Sequence, residues 1–262
     1  MRCTVIASGS KGNCFLVEGS GGSLLVDAGL SAKEILKRLA GAGKDPGLIR
    51  AILVTHEHGD HIGGVDVLTR RLNIPAYATP GTVDNLPPSC NKSRDSGFFR
   101  KCTCNNEFPI GDFSIEPFAT SHDAGEPCGF VLREDGMRLG ICTDTGIITG
   151  TMMEHLLRCD GIVLESNHCP VMLKEGPYPE SLKRRIRSET GHLSNPAAEA
   201  CLQQLGHNAP VLVLAHLSEI NNTPEKAMAC ARNGLGLLFD QTTVIVASQK
   251  GTSQKSPQEF SL

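Results

Sequence analysis

Three histidines and an aspartate fall within six consecutive positions, in the stretch His56-Glu57-His58-Gly59-Asp60-His61. Imidazole and carboxylate groups together suit zinc and similar divalent ions, whereas calcium and magnesium take mostly oxygen ligands. The apolar run at 51–54 directly precedes this stretch and has the length and β-branched content of a buried strand. The sequence therefore predicts a metal site on a loop at the carboxyl end of a strand.

Three more candidate ligands follow apolar or alternating runs further along the chain, at His122, Asp144 and His216. Taken singly, each has a more common explanation as a hydrogen-bonded loop residue or a turn residue. Because the pattern recurs, we expect the ends of several strands to converge and to bring these side chains close together.

These positions supply seven candidate metal ligands in total. They are His56, His58, Asp60, His61, His122, Asp144 and His216. Seven side chains exceed what one ion with four or five ligands needs. His56 and His58 alternate and can share a direction, whereas Asp60 and His61 lie on the following turn and would point to a second position. We therefore expect two divalent ions, zinc or manganese, with Asp144 able to bridge a pair roughly 3.5 to 4 Å apart.

The elements that must position these ligands alternate between strands and helices. We expect strands at 3–7, 14–17, 23–26, 51–54, 76–78, 113–118, 129–133, 138–142 and 211–215. Ser31 is a candidate N-cap for a helix over 32–40, and another helix ends near Arg71. The turn at 134–136 predicts an antiparallel hairpin. Asp27 ends the third strand, where it either forms a turn or supports a metal ligand from behind. The polar segment 87–106 is expected to be an exposed excursion.

Taken in order, Asp27, the H-x-H-x-D-H of 56–61, His122, Asp144 and His216 resemble the five motifs of the metallo-β-lactamase superfamily. The resemblance covers nearly the whole chain. It implies an α/β (α+β) fold, a four-layer αββα sandwich of two mixed sheets with helices outside.

The same resemblance implies a division of the ligands between the two ions. His56, His58 and His122 would bind one ion, and Asp60, His61 and His216 the other. Asp144 would bridge them, and Asp27 would support the histidine loop from behind.

Five further segments are similar to those of YycJ/WalJ-like proteins, a nuclease subgroup of this superfamily. They lie at 8–14, 164–168, 176–179, 191–195 and 216–222. This resemblance implies a DNA-directed 5′ to 3′ exonuclease. Cys169 is a departure, because an acidic residue is expected after His168, and it leaves the role of that position open.

The segment His192-Leu193-Ser194 resembles the H-x-T element of the ribonuclease Z group. It implies that His192 protonates the leaving oxygen with help from Glu165, and that both belong to the catalytic set together with Asp60. The alkoxide leaving group of a phosphodiester needs a proton, which a histidine can deliver near neutral pH. The alternative is that His192 and Asn195 cap a helix that starts at 196.

Six residues are candidate substrate contacts. They are His168, Lys183, Arg184, Arg187, Ser194 and Asn195. The three basic members belong to the one strongly basic run of the chain, which also contains Arg185, on a helix expected over 180–189. This run is either a solvated helix face or a contact to a phosphate backbone. His168 either contacts phosphate or shapes its loop.

Composition sets further limits on the fold and on the partners. The 262 residues are 40% hydrophobic, and no linker-like segment divides them, so we expect one hydrolase domain over 1–250 and a mobile tail at 251–262. A net charge of −3 argues against phosphate binding by a broad, positively charged surface but allows a local basic patch. With no tryptophan and two tyrosines, aromatic stacking is not expected to be the main binding device.

The chain has eleven cysteines but no secretory leader and no apolar run of membrane-spanning length. This combination predicts a reducing, cytoplasmic location and no membrane partner. Cys102 and Cys104 have a C-x-C spacing without a second pair, which argues against a structural zinc knuckle.

The leading hypothesis is a dinuclear-metal-dependent phosphodiesterase that acts on DNA through a metal-bound hydroxide. Its partner would be a nucleic acid, with DNA favoured over RNA. The alternatives are hydrolysis of RNA, a cyclic phosphodiester, a thioester or a lactam, and a metal-stabilised binding module without catalysis.

Overall fold

The computed structural model describes residues 1–206, 210–251 and 258–262. In this part of the chain the strands form two seven-stranded sheets. The first sheet contains β1 (Arg2–Ala7), β2 (Cys14–Gly19), β3 (Gly22–Val26), β4 (Ile49–Leu53), β5 (Ala76–Ala78), β6 (Phe99–Lys101) and β14 (Glu259–Ser261). Its spatial order is β14-β1-β2-β3-β4-β5-β6, antiparallel from β14 to β3 and parallel from β3 to β6.

The second sheet has the same mixture of strand directions. It contains β7 (Phe108–Ile110), β8 (Phe113–Ala119), β9 (Cys128–Glu134), β10 (Met137–Cys142), β11 (Gly161–Glu165), β12 (Val211–Ala215) and β13 (Thr243–Val246). The strands lie in chain order, antiparallel from β7 to β10 and parallel from β10 to β13. The predicted antiparallel hairpin is confirmed, with Asp135 and Gly136 at positive φ in its turn.

Helices lie in the connections between the strands, and several of them cover the outer faces of the two sheets. They are α1 (Ala32–Gly41), α2 (Gly59–Ile62), α3 (Val65–Leu72), α4 (Pro80–Asp84), α5 (Asn91–Asp95), α6 (Gly150–Leu156), α7 (Pro170–Glu175), α8 (Glu180–Ile186), α9 (Asn195–Leu205) and α10 (Pro224–Leu235). Short 3-10 helices lie at Pro46–Leu48, Pro88–Cys90 and Gly236–Gln241.

Buried apolar residues form three layers of core. Phe15 and Leu24 of the first sheet pack with Phe130 and Val213 of the second in the central layer. A second layer lies between the first sheet and α1 and α3, and a third between the second sheet and α6, α9 and α10. Strands buried on both faces explain the continuous apolar runs in the sequence. The predicted αββα sandwich is confirmed.

Helix α1 shows how local sequence sets these outer layers. The Ser31 side chain accepts a hydrogen bond from the Glu34 N–H (3.3 Å), which caps the predicted helix start. Ile35 and Leu39, one turn apart, are fully buried against the sheet. On its polar face, Arg38 Nε lies 2.9 Å from Glu34 Oε1.

The segment 87–106, expected to be an exposed excursion, contains a 3-10 helix, α5 and β6. Arg100 and Lys101 are exposed, as expected, but Phe99–Lys101 pairs in parallel with β5 and extends the first sheet, which was not predicted. This strand has three residues, too few for an alternating pattern to stand out in the sequence.

The helix expected over 180–189 ends at Ile186. Ser188 is the reason, because its backbone N–H and its hydroxyl both donate to the Arg185 carbonyl, at 3.1 and 2.8 Å. A side chain that bonds to nearby backbone competes with continuation of the helix.

The predicted mobile tail includes a strand. Glu259–Ser261 pairs with β1, and Phe260, which is buried, lies opposite Cys3. Lys44 Nζ also lies 3.0 Å from Glu259 Oε2. The end of the chain is therefore part of the sandwich, which differs from the prediction, while 252–257 lie outside the described residues.

Within the described ranges, no helix combines the length and the apolar character needed to cross a membrane.

Candidate metal centre

Parallel pairing aligns three of the predicted site residues at one edge of the second sheet. Cys142 of β10 pairs with Leu164 of β11, and Glu165 of β11 pairs with Ala215 of β12. Asp144, Glu165 and His216 therefore all lie at the carboxyl ends of adjacent strands. This edge is where open α/β sheets place their chemistry.

The first sheet brings its own ligands to the same place. Asp27 directly follows β3, and its N–H donates to the Leu53 carbonyl of β4 (2.8 Å). The histidine stretch leaves β4, and α2 carries Asp60 and His61 within it. Each cluster ligand therefore starts from the end of a strand or from the first turn after it.

Three of these residues have a left-handed backbone. Asp27, Asp144 and His216 have φ values of 60°, 56° and 55°. Non-glycine residues adopt this conformation at some cost in free energy, and such strain concentrates at functional sites. All three are buried, so the surrounding contacts hold them in place.

The seven predicted ligands meet in one cluster. In three overlapping groups, one ligand atom from each member lies within 4.8 Å of the others. These groups are His56, His58 and His122; Asp60, His61 and His216; and His56, His61 and Asp144. A fourth group joins Asp144 and His216 to Glu165 and His192.

The first group consists of imidazoles at short range. His56 Nε2 lies 3.0 Å from His58 Nδ1, and His122 Nε2 lies 3.3 Å from the same atom. The other ring nitrogen of His122 lies 2.9 Å from the Gly191 carbonyl. This contact requires a proton on Nδ1, and it leaves Nε2 on the side of the other two histidines.

The second group combines imidazole with carboxylate. Asp60 Oδ2 lies 3.6 Å from His61 Nε2 and 3.5 Å from His216 Nε2. Asp144 stands between the two groups, since its Oδ2 lies 3.2 Å from His61 Nε2 and its Oδ1 lies 3.8 Å from His122 Nε2.

Asp27 lies behind the histidine loop. Its Oδ2 is 2.7 Å from His61 Nδ1, and its Oδ1 accepts a hydrogen bond from the Thr55 N–H (2.9 Å). The carboxylate therefore fixes the orientation of the His61 ring and the start of the loop together. Such outer contacts orient metal ligands in proteins.

Glu165 has a similar place on the opposite sheet, where it is fully buried. Its Oε1 lies 2.8 Å from His192 Nδ1 and 3.0 Å from His216 Nδ1. Its Oε2 accepts from the Thr145 N–H (2.8 Å) and the Leu193 N–H (3.3 Å). The carboxylate therefore holds both imidazole rings and two loop backbones.

The electrostatics of the cluster favour ionised carboxylates. Burial would raise the pKa of Asp60, but His216 and His61 lower it to about 2. Burial is likewise outweighed at Asp144, whose pKa lies well below its usual range because of His216 and His61. Both groups are thus anionic at neutral pH, the form that binds cations.

Histidines in the cluster divide into two kinds. Burial lowers the pKa of His56 and of His122, so both rings are neutral at pH 7, as metal binding requires. Burial also acts on His61 and His216, but Asp144 and neighbouring carboxylates outweigh it. The pKa of His61 is raised well above its usual value, and that of His216 to about 10.

Two buried polar atoms indicate that the cluster fits a bound cation. Among the described residues, neither Asp144 Oδ2 nor His216 Nε2 has a hydrogen-bond partner of good geometry. Buried polar atoms without partners are costly unless another group satisfies them. A divalent ion among these nitrogen and oxygen atoms would do so, with ligand types that zinc and manganese accept.

A cavity of about 250 Å³ opens onto the cluster. His58, Asp60, Asp144, His192 and His216 line it on the ligand side. The sequence predictions missed other residues of the lining, chiefly Ser10, Asn167, Tyr178, Leu182 and Arg185. Arg185 lay within the basic run and Tyr178 within the segment 176–179, but spacing alone did not separate them from their neighbours.

The predicted substrate contacts have different positions. Ser194 caps α9 by accepting from the Ala197 N–H (3.3 Å). Asn195 is buried and bonds to Ser166 and Asn222. These two residues therefore build the loop and the start of α9. The alternative that His192 and Asn195 cap this helix was wrong, because the cap is Ser194 and Asn195 is the first residue of α9.

His168 is buried, and burial lowers its pKa to about 4. Its Nδ1 makes no hydrogen bond to the described residues. The backbone of His168 is joined to the loop that carries His192, because the Asn195 N–H donates to the His168 carbonyl (2.9 Å).

Lys183 does not have the exposed position that the helical prediction gave it. It is buried, and its ammonium donates to the Lys174 carbonyl (2.7 Å) at the end of α7. Arg187 donates through Nε to the Lys183 carbonyl (3.2 Å), and Arg184 is exposed. Lys183 therefore links α7 to α8. Its buried ammonium contradicts its predicted role as a phosphate contact.

Comparisons with known proteins show the family of the chain. A family model described as "Beta-lactamase superfamily domain" matches residues 23–217. Exodeoxyribonuclease WalJ of Streptococcus pneumoniae serotype 2 is 40% identical over 247 residues, covering 91% of this chain and 92% of the relative. Exodeoxyribonuclease YycJ of Bacillus anthracis is 38% identical over 235 residues, covering 87% and 86%.

Among solved structures, the metallo-beta-lactamase fold protein YhfI from Bacillus subtilis superposes with a TM-score of 0.71. The identity is 16%, and 99% of each chain is covered, so this likeness concerns the fold alone. The family match and the two relatives show family membership as well as the fold. This chain belongs to the beta-lactamase superfamily and, within it, to the family of WalJ and YycJ.

Proposed function

We propose that this protein is a metal-dependent DNA nuclease that removes nucleotides in the 5′ to 3′ direction. The names of the two relatives describe exodeoxyribonucleases. The cluster of histidine and aspartate side chains is of the kind that holds divalent ions for hydrolysis. Together these observations favour phosphodiester cleavage over thioester or lactam cleavage.

Two ions, zinc or manganese, would occupy the cluster. His56, His58 and His122 would hold one, and Asp60, His61 and His216 the other. Asp144 lies near members of both groups and would bridge them. When bound, such ions lower the pKa of water and neutralise charge on phosphoryl oxygens.

The protein's own residues would orient the substrate and move the protons. The Asp60 side chain is 27% exposed and lines the cavity, so its carboxylate can accept a hydrogen bond from a water that enters there. His192 also lines the cavity, and it is 15% exposed. The contact between its Nδ1 and Glu165 leaves Nε2 as the ring atom that would donate a proton to the departing oxygen.

One observation carries the choice of a phosphodiester. The ring of His192, a proton donor, stands at the edge of the ligand cluster, with Nδ1 3.5 Å from Asp144 Oδ1. An alkoxide leaving group gains from a donor at this position. The buried carboxylate of Glu165 holds this ring at the edge of the cluster.

A substrate panel tests the proposal. Protein loaded with zinc or with manganese is incubated with 5′-labelled and 3′-labelled single- and double-stranded DNA, matched RNA, a thioester and a lactam. We expect DNA to be shortened from its 5′ end. Cleavage of RNA or of the thioester with DNA left intact would overturn it.

Asp60→Ala and His61→Ala give the matched test of the metal cluster. Both variants should lose bound metal and DNA hydrolysis together. If they lose metal but keep hydrolysis, the cluster is not the catalytic site.

A further inference from the structure

Part of the cavity lining is apolar, in contrast to the ligand cluster. Tyr178 contributes it from the segment before α8, and Leu182 and Ile186 contribute it from the helix itself. Tyr178 is half-buried and is one of two tyrosines in a chain without tryptophan. The other, Tyr77, stacks on Phe108 with ring centroids 5.0 Å apart. Among the described residues, no aromatic ring stacks on Tyr178.

The segment that carries Tyr178 is held firmly. Pro177 and Pro179 flank it and restrict its backbone. Before it, the Gly176 N–H donates to the Met172 carbonyl (2.7 Å). A Cβ at Gly176 would lie 2.4 Å from Asn221 Oδ1, so only glycine permits this close approach.

Helix α8 is fastened at two points next to the apolar lining. In the middle of the helix, Lys183 bonds to the end of α7, as described above. At the C-terminal end of the helix, the His192 N–H donates to the Ile186 carbonyl (2.9 Å). The apolar surface and the proposed proton donor therefore have a fixed relation to each other, which suits a ligand that contacts both.

We propose that the cavity binds one unpaired nucleotide at the 5′ end of a DNA strand, with its base stacked on the Tyr178 ring. This inference rests on the proposed nuclease function. The base would lie against Tyr178, Leu182 and Ile186, and the phosphodiester would face the metal ligands and His192. A nucleotide combines a flat apolar face with a charged phosphodiester, and the lining offers a surface for each.

Stacking on Tyr178 assigns the substrate class as a single-stranded or frayed end. Base–aromatic stacking contributes about 1 to 3 kcal/mol per base. A base within a duplex would first have to leave its stack and its pair, at a cost of a few kcal/mol. The protein should therefore degrade single strands and 5′ overhangs faster than blunt duplex ends.

The test pairs a change in the protein with a change in the substrate. Tyr178→Ala and the wild type are compared on a single-stranded oligonucleotide and on one whose 5′-terminal nucleotide is abasic. We expect Tyr178→Ala to lose roughly 5- to 150-fold in kcat/KM on the normal strand. The abasic end should slow the wild type by a similar factor, and it should slow Tyr178→Ala little further.

Two control variants and a binding measurement complete the design. Tyr178→Phe should remain close to wild type, because it keeps the ring. Val171→Ala, at an exposed position on α7 outside the cavity lining, should also be unchanged. The dissociation constant for a fluorescent single-stranded DNA is measured in the presence of a chelator. Of the three variants, only Tyr178→Ala should show a higher dissociation constant than the wild type.

The outcomes separate the two proposals. If Tyr178→Ala slows normal and abasic strands equally, Tyr178 shapes the site and does not stack on a base, so this inference fails. The same conclusion holds if the variant cleaves both strands at wild-type rates. If the wild type cleaves no DNA but hydrolyses RNA or a thioester, the proposed DNA nuclease function fails, and the inference fails with it.

Discussion

Oε1 of Glu165 lies 2.8 Å from Nδ1 of His192, which joins a fully buried carboxylate to a ring at the cavity surface. The same oxygen lies 3.0 Å from Nδ1 of His216, one of the proposed metal ligands. A single carboxylate therefore orients the proposed proton donor and a ligand of the metal cluster. Changes at these three positions should affect metal binding and proton transfer to different extents.

Glu165→Gln should impair both functions. The neutral amide would keep one acceptor, but its NH₂ group would face the N–H groups of Thr145 and Leu193. We expect metal affinity to fall about 10- to 100-fold, the usual effect of losing a partner of a metal-bound histidine. Competition with a metal indicator measures the affinity. Unchanged affinity would show that the contact to His216 does not support the cluster.

His192→Ala should impair only proton transfer. Because His192 is not in either proposed ligand triad, bound metal should stay at the wild-type level. We expect kcat on DNA to fall about 10²- to 10⁴-fold. A substrate with a p-nitrophenolate leaving group, which needs little protonation, should be affected much less. An equal loss on both substrates would contradict the assigned role.

Asp27→Ala should weaken the site from behind the histidine loop. It removes the acceptors of His61 Nδ1 and of the Thr55 N–H and hydroxyl, all buried. We expect one of two metal equivalents to bind about 10- to 100-fold more weakly. The unfolding free energy should fall by about 1 to 3 kcal/mol for the unsatisfied groups.

Asp45→Ala is the matched control for Asp27→Ala. Asp45 also accepts a backbone N–H, from Gly47 (2.8 Å), but at an exposed 3-10 helix. Metal binding should be unchanged in this variant. If Asp45→Ala weakens metal binding as much as Asp27→Ala does, the effect is general destabilisation.

Phe260→Ala should show that the end of the chain stabilises the sandwich. Phe260 packs in the central core and lies opposite Cys3. Its truncation should lower the unfolding free energy by roughly 3 kcal/mol, measured by urea denaturation. Leu237→Ala is the control, because Leu237 is 96% exposed and should change little. Equal stability of the two variants would mean that this strand is not firmly docked.

Much of the candidate site was predictable because strand ends carry the candidate ligands. A short apolar run followed by His or Asp is visible in the sequence, and parallel pairing then brings such ends together. Asp144 and His216 were identified in this way, although they are 72 positions apart in the numbering. The buried strands were also recognisable, because both of their faces are apolar.

Other features depend on tertiary contacts that leave no local pattern. The basic run predicted four exposed cations, but Lys183 is buried and donates to the Lys174 carbonyl at the end of α7. Arg185 is exposed as predicted, and its Nε pairs with Asp123 at 2.5 Å. The C-terminal strand is three residues long, and it is stabilised by its pairing with β1 and by Lys44. Tyr178 had no periodic neighbours, so its place in the cavity became evident only from the fold.

The most direct test of the account is a metal titration of chelator-treated protein with zinc or manganese, following DNA hydrolysis and bound metal in the same samples. The account predicts that hydrolysis of 5′-labelled single-stranded DNA rises with bound metal and reaches its maximum at two equivalents per chain. Full activity with one equivalent, or with none, would contradict the dinuclear centre.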